Sequence, residues 1–205
     1  MSTPSSPTLI RDGRVLTMGR APGPRRGVEL GELHALDRAS VLIRNGVIEA
    51  VGADLTPPPG CAVIEAGGRV VMPAFVDAHT HACWAGDRLD EWELKQKGAT
   101  YLELLEAGGG IMSTVRSVRA ASEDQLARDL SRRLDVMLAE GTAHVEVKSG
   151  YGLSTRDELK MLRAIARAAQ TFPGTVHLTA CIGHAKDPDQ PGFVETTIHE
   201  TLDAV

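Results

Sequence analysis

Aromatic residues are scarce in this chain: Phe, Trp and Tyr together make up 3% of its 205 residues. The core must therefore be aliphatic, built on Leu, Val, Ile and Ala. Cysteine is scarce too. Cys61, Cys83 and Cys181 are odd in number, far apart and without a CxxC pair. That argues against a disulfide framework or a zinc ribbon and fits a reducing compartment, so a cytoplasmic location is expected. No apolar run approaches the ~20 residues of a membrane span, and Met1 to Pro7 are polar, unlike a signal peptide. Long basic runs are missing as well. The net charge is −5, and the cluster Arg20, Arg25, Arg26 lies in a Pro/Gly-rich stretch that reads as a solvated loop rather than a nucleic-acid arm. The expected partner is a small-molecule substrate, with neither nucleic acid nor membrane. What remains, 42% apolar and 24% charged, is an ordinary globular composition.

The first ~70 residues read as strands by alternation. Thr8 to Val15 is one. Arg38 to Gly52 is a hairpin around Asn45-Gly46, where both turn positions need positive φ. Pro57-Pro58-Pro59-Gly60 and Gly67-Gly68 break the chain, and Gly19 to Gly31 reads as a loop. From Arg69 the pattern changes. "RVVMPAFVDAHTH" is an apolar run ending in polar residues, as a buried strand emerging at a site would be. Short helices interrupted by Gly108-Gly109-Gly110 are expected between Tyr101 and Ala121. The spacing predicts a helix from Glu123 to Glu140, with Ser122 as N-cap, Gln125 at the capping-box position, Gly141 as stop, and Leu126, Leu130, Leu134 and Met137 as its buried stripe. "TAHVEVKSG" follows as a strand. Thr155 with Glu158 caps a second helix carrying Leu159, Leu162, Ile165 and Ala169. "TVHLTACIG" is the next strand, and a helix starts at Phe193. Strands and helices that alternate imply parallel βαβ units. A (β/α)₈ barrel takes about 250 residues, and 205 minus 70 leaves 135, room for three or four units. Either an open α/β sheet or part of a barrel satisfies that count.

His79 and His81 stand at i and i+2 at a strand end, so both project from one face together with Asp77. Two neutral imidazoles held this close can fill two positions on one metal ion. A bare HxH fits two exposed strand-end histidines equally well. The context here is a Pro73 turn, an apolar run, then Asp-x-His-x-His at the C-terminal strand end, where parallel α/β sheets carry their sites.

"MPAFVDAHTH" resembles the P-G-[FL]-[VI]-D-x-H-x-H segment that opens the barrel of the amidohydrolase superfamily, with Ala74 in place of the familiar Gly. "KGATYLELLEAGGGIMSTVRSVRAAS" (97–122) and "EVKSGYGL" (146–153) resemble the imidazolonepropionase family in particular. The resemblance implies an α/β chain in two parts. Residues 1–69 would form a small, composite β-sandwich-type domain, and residues 70–205 part of a TIM-like (β/α)₈ barrel of three to four βα units. It implies that His79 and His81 hold one Zn or Fe ion; the family's later His and Asp ligands and its acidic proton-transfer residue have no matching position here. It further implies that Arg88 clamps a substrate carboxylate, that Tyr151 gives a hydroxyl to the substrate, and that His184 contacts it too, although Ile182-Gly183-His184 stands where the family reads Gly-Ala-His. The implied reaction opens the cyclic amide of 4-imidazolone-5-propanoate with water to give N-formimidoyl-L-glutamate, in histidine degradation, in an enzyme that is a homodimer at full length. Another cyclic amidohydrolase or deaminase, or a non-catalytic fragment, are the alternatives. Residues 1–205 alone are expected to be poorly soluble or swapped, without turnover.

Other candidates read more plainly. The Gly108–Gly110 run lacks the Lys-Ser/Thr of a phosphate loop and is expected to be a tight turn. Lys148 is taken as structural, at or near the site. Mid-strand His144 and His177 are expected in the core, and His34 and His199 have no evident role.

Overall fold

The computed structural model describes residues 6–19, 23–106 and 108–205; Met1 to Ser5 of the leader and Arg20 of the basic cluster lie outside the described residues. The chain divides into two compact units, 1–73 and 74–205.

The first unit is a five-stranded sheet in the order β3-β2-β1-β4, with β5 also on β1. Its strands are β1 (Thr8–Leu16), β2 (Ala35–Arg44), β3 (Val47–Gly52), β4 (Ala62–Glu65) and β5 (Val70–Val71). The β2–β3 hairpin closes at Asn45 and Gly46, whose φ of 52° and 76° suit a type I′ turn. Of the loop expected from Gly19 to Gly31, residues 27–31 form a 3₁₀ turn. Val15, Ala39 and Val41 make a small core with Ile10, Ile43 and Val71 against it.

The apolar run after Arg69 is not one buried strand. Val70–Val71 pairs with Arg14–Val15 of the first sheet, and β6 (Phe75–Thr80) begins a second sheet after Pro73. Proline has no N–H for a ladder, so the run divides there. Phe75 and Val76 are 54% and 66% exposed. An all-apolar strand is buried only when both faces are covered, and the main core cluster takes residues from β7 and β8 but none from β6.

The second unit is a three-stranded parallel sheet, β6-β7-β8, with β7 at Thr142–Lys148 and β8 at Thr175–Thr179. Among the described residues, four helices lie between β6 and β7: α1 (Leu89–Gln96), α2 (Tyr101–Glu106), α3 (Ile111–Ala120) and α4 (Glu123–Ala139). α5 (Thr155–Thr171) joins β7 to β8, and α6 (Phe193–Thr196) runs through a π turn (Thr197–Thr201) into Leu202–Ala204. α4 starts as its sequence dictates. The Ser122 hydroxyl accepts from the Gln125 N–H at 3.1 Å, and Leu126, Leu130 and Leu134 are fully buried. α5 starts one residue early. Ser154, not Thr155, caps it by accepting from the Asp157 N–H at 3.2 Å, while the Thr155 hydroxyl bonds Thr201. Its buried stripe is Glu158, Met161, Leu162, Ile165 and Ala168, with Leu159 and Ala169 only half-buried.

His144 and His177 are exposed, not core. Side chains alternate along a strand. Val145 and Val147 point into the aliphatic core under α4 and α5, so His144, Glu146 and Lys148 take the other face.

Candidate active site

The C-terminal ends of the three parallel strands carry the functional side chains. His79 is the penultimate residue of β6 and is exposed, its backbone N–H held by the Asp77 carboxylate at 3.2 Å. His81 follows the strand, half-buried, with Nδ1 3.0 Å from the Ser149 carbonyl oxygen. A carbonyl only accepts, so Nδ1 carries the hydrogen and Nε2 keeps the lone pair. Burial first, then the charges of His184, His79 and Lys148, push the His81 pKa below its usual 6.5 against the opposing Ser149 bond. The neutral imidazole is the metal-binding form.

Ser149 fastens three strand ends. Fully buried, it donates its N–H to the Thr179 carbonyl at 3.0 Å and takes the Cys181 N–H on its hydroxyl at 3.2 Å, besides holding His81 through its carbonyl. The loop that follows, Gly150 to Leu153, is wrapped around the Glu158 carboxylate. One oxygen accepts from the Gly150 N–H at 2.9 Å, the other from Gly152 at 2.8 Å and Leu153 at 2.9 Å. Glu158 is 1% exposed. A Cβ at Gly152 would lie 2.4 Å from the Glu158 nitrogen, so only glycine fits there. On the outer side, the Arg119 guanidinium donates to the Gly152 and Leu153 carbonyls at 2.9 and 3.1 Å, and to Asp187 at 2.7 Å.

This loop sets Tyr151 against the histidines. Ring centroids are 5.3 Å apart for His81–Tyr151, 5.8 Å for Tyr151–His184 and 4.4 Å for the stacked His81–His184 pair; His79 stands 6.1 Å from His81, edge to face. Burial pushes the Tyr151 hydroxyl above its usual pKa of 10, tempered by the charge of Arg88. The charge of Arg88 is thus felt at Tyr151. The Arg88 fork is paired with Glu91, Nε to Oε1 at 2.9 Å and Nη2 to Oε2 at 2.5 Å. Arg88 holds the Glu91 carboxyl below its usual range, and Glu91 also accepts the Gly110 N–H at 2.9 Å. The glycine turn is therefore tied to Arg88, and both line a cavity of about 190 Å³ with Leu104 and Ser113. Lys148 is ion-paired to Glu146, which also accepts from the Thr179 hydroxyl at 2.8 Å.

Four of these residues were not singled out by sequence. The sequence offers Glu158 as the capping partner of Thr155, yet its i, i+3, i+4, i+7 spacing with Met161, Leu162 and Ile165 puts it on the buried stripe of α5. Glu91 stands at i+3 from Arg88. Cys181 stands three before His184, its Sγ 3.7 Å from Nδ1. Ser149 gave no signal.

His79 and His81 suit one metal ion. Two imidazoles bonded to one ion at about 2.0–2.1 Å and a tetrahedral angle hold their centroids roughly 5 Å apart, so the pair at 6.1 Å needs a side-chain shift of about 1 Å to share one. The Ser149 carbonyl orients His81 as such partners orient metal-bound histidines.

No family model matches the chain. Among curated proteins, it is 48% identical over 209 residues to the imidazolonepropionase of Herpetosiphon aurantiacus, covering 98% of this chain and 48% of that protein. The imidazolonepropionase of Rubrobacter xylanophilus is 42% identical over 95% of this chain and 49% of its own length. Among solved structures, N-isopropylammelide isopropylaminohydrolase from Burkholderia multivorans superposes with a TM-score of 0.59 at 22% identity, covering 98% of this chain and 43% of that one. A triazine hydrolase from Arthobacter aurescens does so with 0.62 at 18%, covering 97% and 42%. At such identities the structures speak for the fold alone, an amidohydrolase-like α/β arrangement. The chain spans about half the length of the curated relatives it matches, and by its identity to them along nearly its whole extent it belongs to the imidazolonepropionase family.

Proposed function

We propose that this chain supplies two metal-binding histidines and the substrate-orienting side of a site that hydrolyses the cyclic amide of 4-imidazolone-5-propanoate to N-formimidoyl-L-glutamate, in histidine degradation. One observation carries the reading: His81, Tyr151 and His184, from three separate strand ends, stand within 5.8 Å of one another by ring centroid, beside the His79–His81 pair. The β6–β8 units are read as part of a (β/α)₈ barrel and the first unit as part of a β-sandwich. The full protein is read as a cytoplasmic homodimer.

His79 and His81 would hold one Zn or Fe ion, which when bound polarises a carbonyl and makes water a better nucleophile at neutral pH. The chain's own groups do the rest. Arg88, its fork fixed in plane by Glu91, takes the propionate carboxylate through charge-assisted bonds. Tyr151, held protonated by its raised pKa, donates its hydroxyl hydrogen to the bound ring. His184 donates an N–H toward the ring oxygen as negative charge develops there. Held in this order, the ring carbonyl faces His79 and His81 before reaction.

The test is made on the full-length protein. Arg88→Ala should lower kcat/KM for imidazolonepropionate by roughly ten- to a hundredfold, as the loss of about 1.5–3 kcal/mol demands, with the larger part in KM. Arg88→Lys should restore little. An Arg88→Ala enzyme with unchanged constants, or a panel in which a ring lacking the propionate, or an exocyclic amine, turns over better, would give the site to another cyclic amidohydrolase or a deaminase.

A further inference from the structure

A thiol stands where the proposed reaction has no use for one. Cys181 follows β8, half-buried, and its Sγ lies 3.7 Å from His184 Nδ1. One ligand atom each from His81, Cys181 and His184 falls within 4.8 Å of the other two. Around a tetrahedral zinc ion, with bonds of about 2.3 Å to sulfur and 2.0 Å to nitrogen, neighbouring ligand atoms stand about 3.5 Å apart. The Cys181–His184 separation already nearly meets that spacing. Ser149 prepares both flanks. Its carbonyl takes the His81 Nδ1 hydrogen, leaving the Nε2 lone pair for a ligand, and its hydroxyl fixes the Cys181 backbone at 3.2 Å. Metal-bound histidines characteristically make such a second bond. His184 is exposed, so an ion can reach the trio.

We propose that His81, Cys181 and His184 form a three-ligand site for a thiophilic divalent cation, Zn²⁺ or Cd²⁺, with water as fourth ligand. The site goes beyond the proposed hydrolase reading and shares only His81 with the His79–His81 pair. His81 offers one lone pair, so the two modes exclude each other. A thiophilic cation bound in this mode also takes His184 away from substrate.

The probe is Cd²⁺, titrated into the full-length protein while the ultraviolet charge-transfer absorption of a cadmium–thiolate bond is followed. One equivalent per chain should saturate the band. Cys181→Ser should abolish it, with circular dichroism checking the fold, and Cys61→Ser should leave it intact. His184→Ala, which keeps the thiol, should weaken cadmium binding at least about tenfold. His79→Ala should leave the band and its affinity unchanged, whether or not the hydrolase reading stands. No band in the parent chain, a band that survives Cys181→Ser, unchanged affinity in His184→Ala, or loss of the band in His79→Ala would each overturn the proposal. The last would place the cation on the His79–His81 pair with the thiol as an accessory.

Discussion

Replacing Glu158 by alanine should unlatch the Tyr151 loop. The carboxylate is 1% exposed and takes three backbone N–H groups, at 2.9, 2.8 and 2.9 Å. Its removal orphans all three. Each buried unsatisfied donor costs about 1–3 kcal/mol, so the simple sum is roughly 3–9 kcal/mol. The upper half cannot be reached, because a released loop lets water in. The loop also has a reason to move: Leu153 sits at φ 50°, a conformation worth about 1–3 kcal/mol of strain in a residue other than glycine. We therefore expect a loss of about 3–5 kcal/mol, a large share of the roughly 5–15 kcal/mol that holds a domain together. Glu158→Gln should lose less, about 1–3 kcal/mol, since its amide oxygen still accepts from Gly152 and Leu153 and only the Gly150 N–H is left facing an NH₂. Urea unfolding followed by tryptophan fluorescence reads the second unit alone, because Trp84 and Trp92 both lie in 74–205. Hydrogen exchange supplies the local readout: the Gly150, Gly152 and Leu153 amides should be protected in the parent and exchange rapidly in Glu158→Ala. A loss under about 1 kcal/mol with those amides still protected would refute the reasoning.

Three further outcomes follow from single contacts. Asp187, 2% exposed, is pushed up by burial, but the Arg119 bond, the Asp189 N–H and the Arg119 charge together hold it below its usual 3.8. A depressed carboxylate stabilises the fold above the unfolded value near 3.9 and loses that contribution as pH falls through the folded value; Asp187→Asn should destabilise the chain at pH 7 by about 1–3 kcal/mol and flatten the acid limb of its stability curve. Cys83 is fully buried and pushed up to about 12, so thiol titration of the folded chain should find Cys61 and Cys181, with Cys83 reacting only in denaturant; prompt reaction of all three would contradict that burial. Ser122→Ala should cost α4 about 1 kcal/mol and Ser122→Asp much less, read as shifts in the urea midpoint.

The features legible in the sequence are those set by neighbours along the chain. Asn45-Gly46 dictates its own turn, Ser122 its own cap, and the His79–His81 spacing its shared face. What could not be read was set across the chain. Cys181 meets His81 because β6, β7 and β8 pair in order and Lys148 registers with Thr179; no local pattern encodes a contact a hundred residues long. α1 escaped for another reason. Leu89, Trp92 and Leu94 are 66%, 63% and 40% exposed, so it buries no apolar stripe whose period could be seen. Mid-strand position does not by itself bury a side chain: alternation with the buried Val145 and Val147 turns His144 outward on β7, and His177 is exposed on β8.

The grip of Glu158 on its loop also fixes how this stretch can change over generations. The acid lies six residues after Gly152, and the glycine can hold no side chain because a Cβ would collide with the Glu158 nitrogen at 2.4 Å. Loop and helix start are therefore a single measured length. An inserted or deleted residue between Gly150 and Glu158 would slide the carboxylate off its three donors and carry Tyr151 away from His81. Surface loops ordinarily drift in length at little cost. This one is constrained like a core strand: descendants can vary its exposed positions, such as Arg156, but not its count of residues.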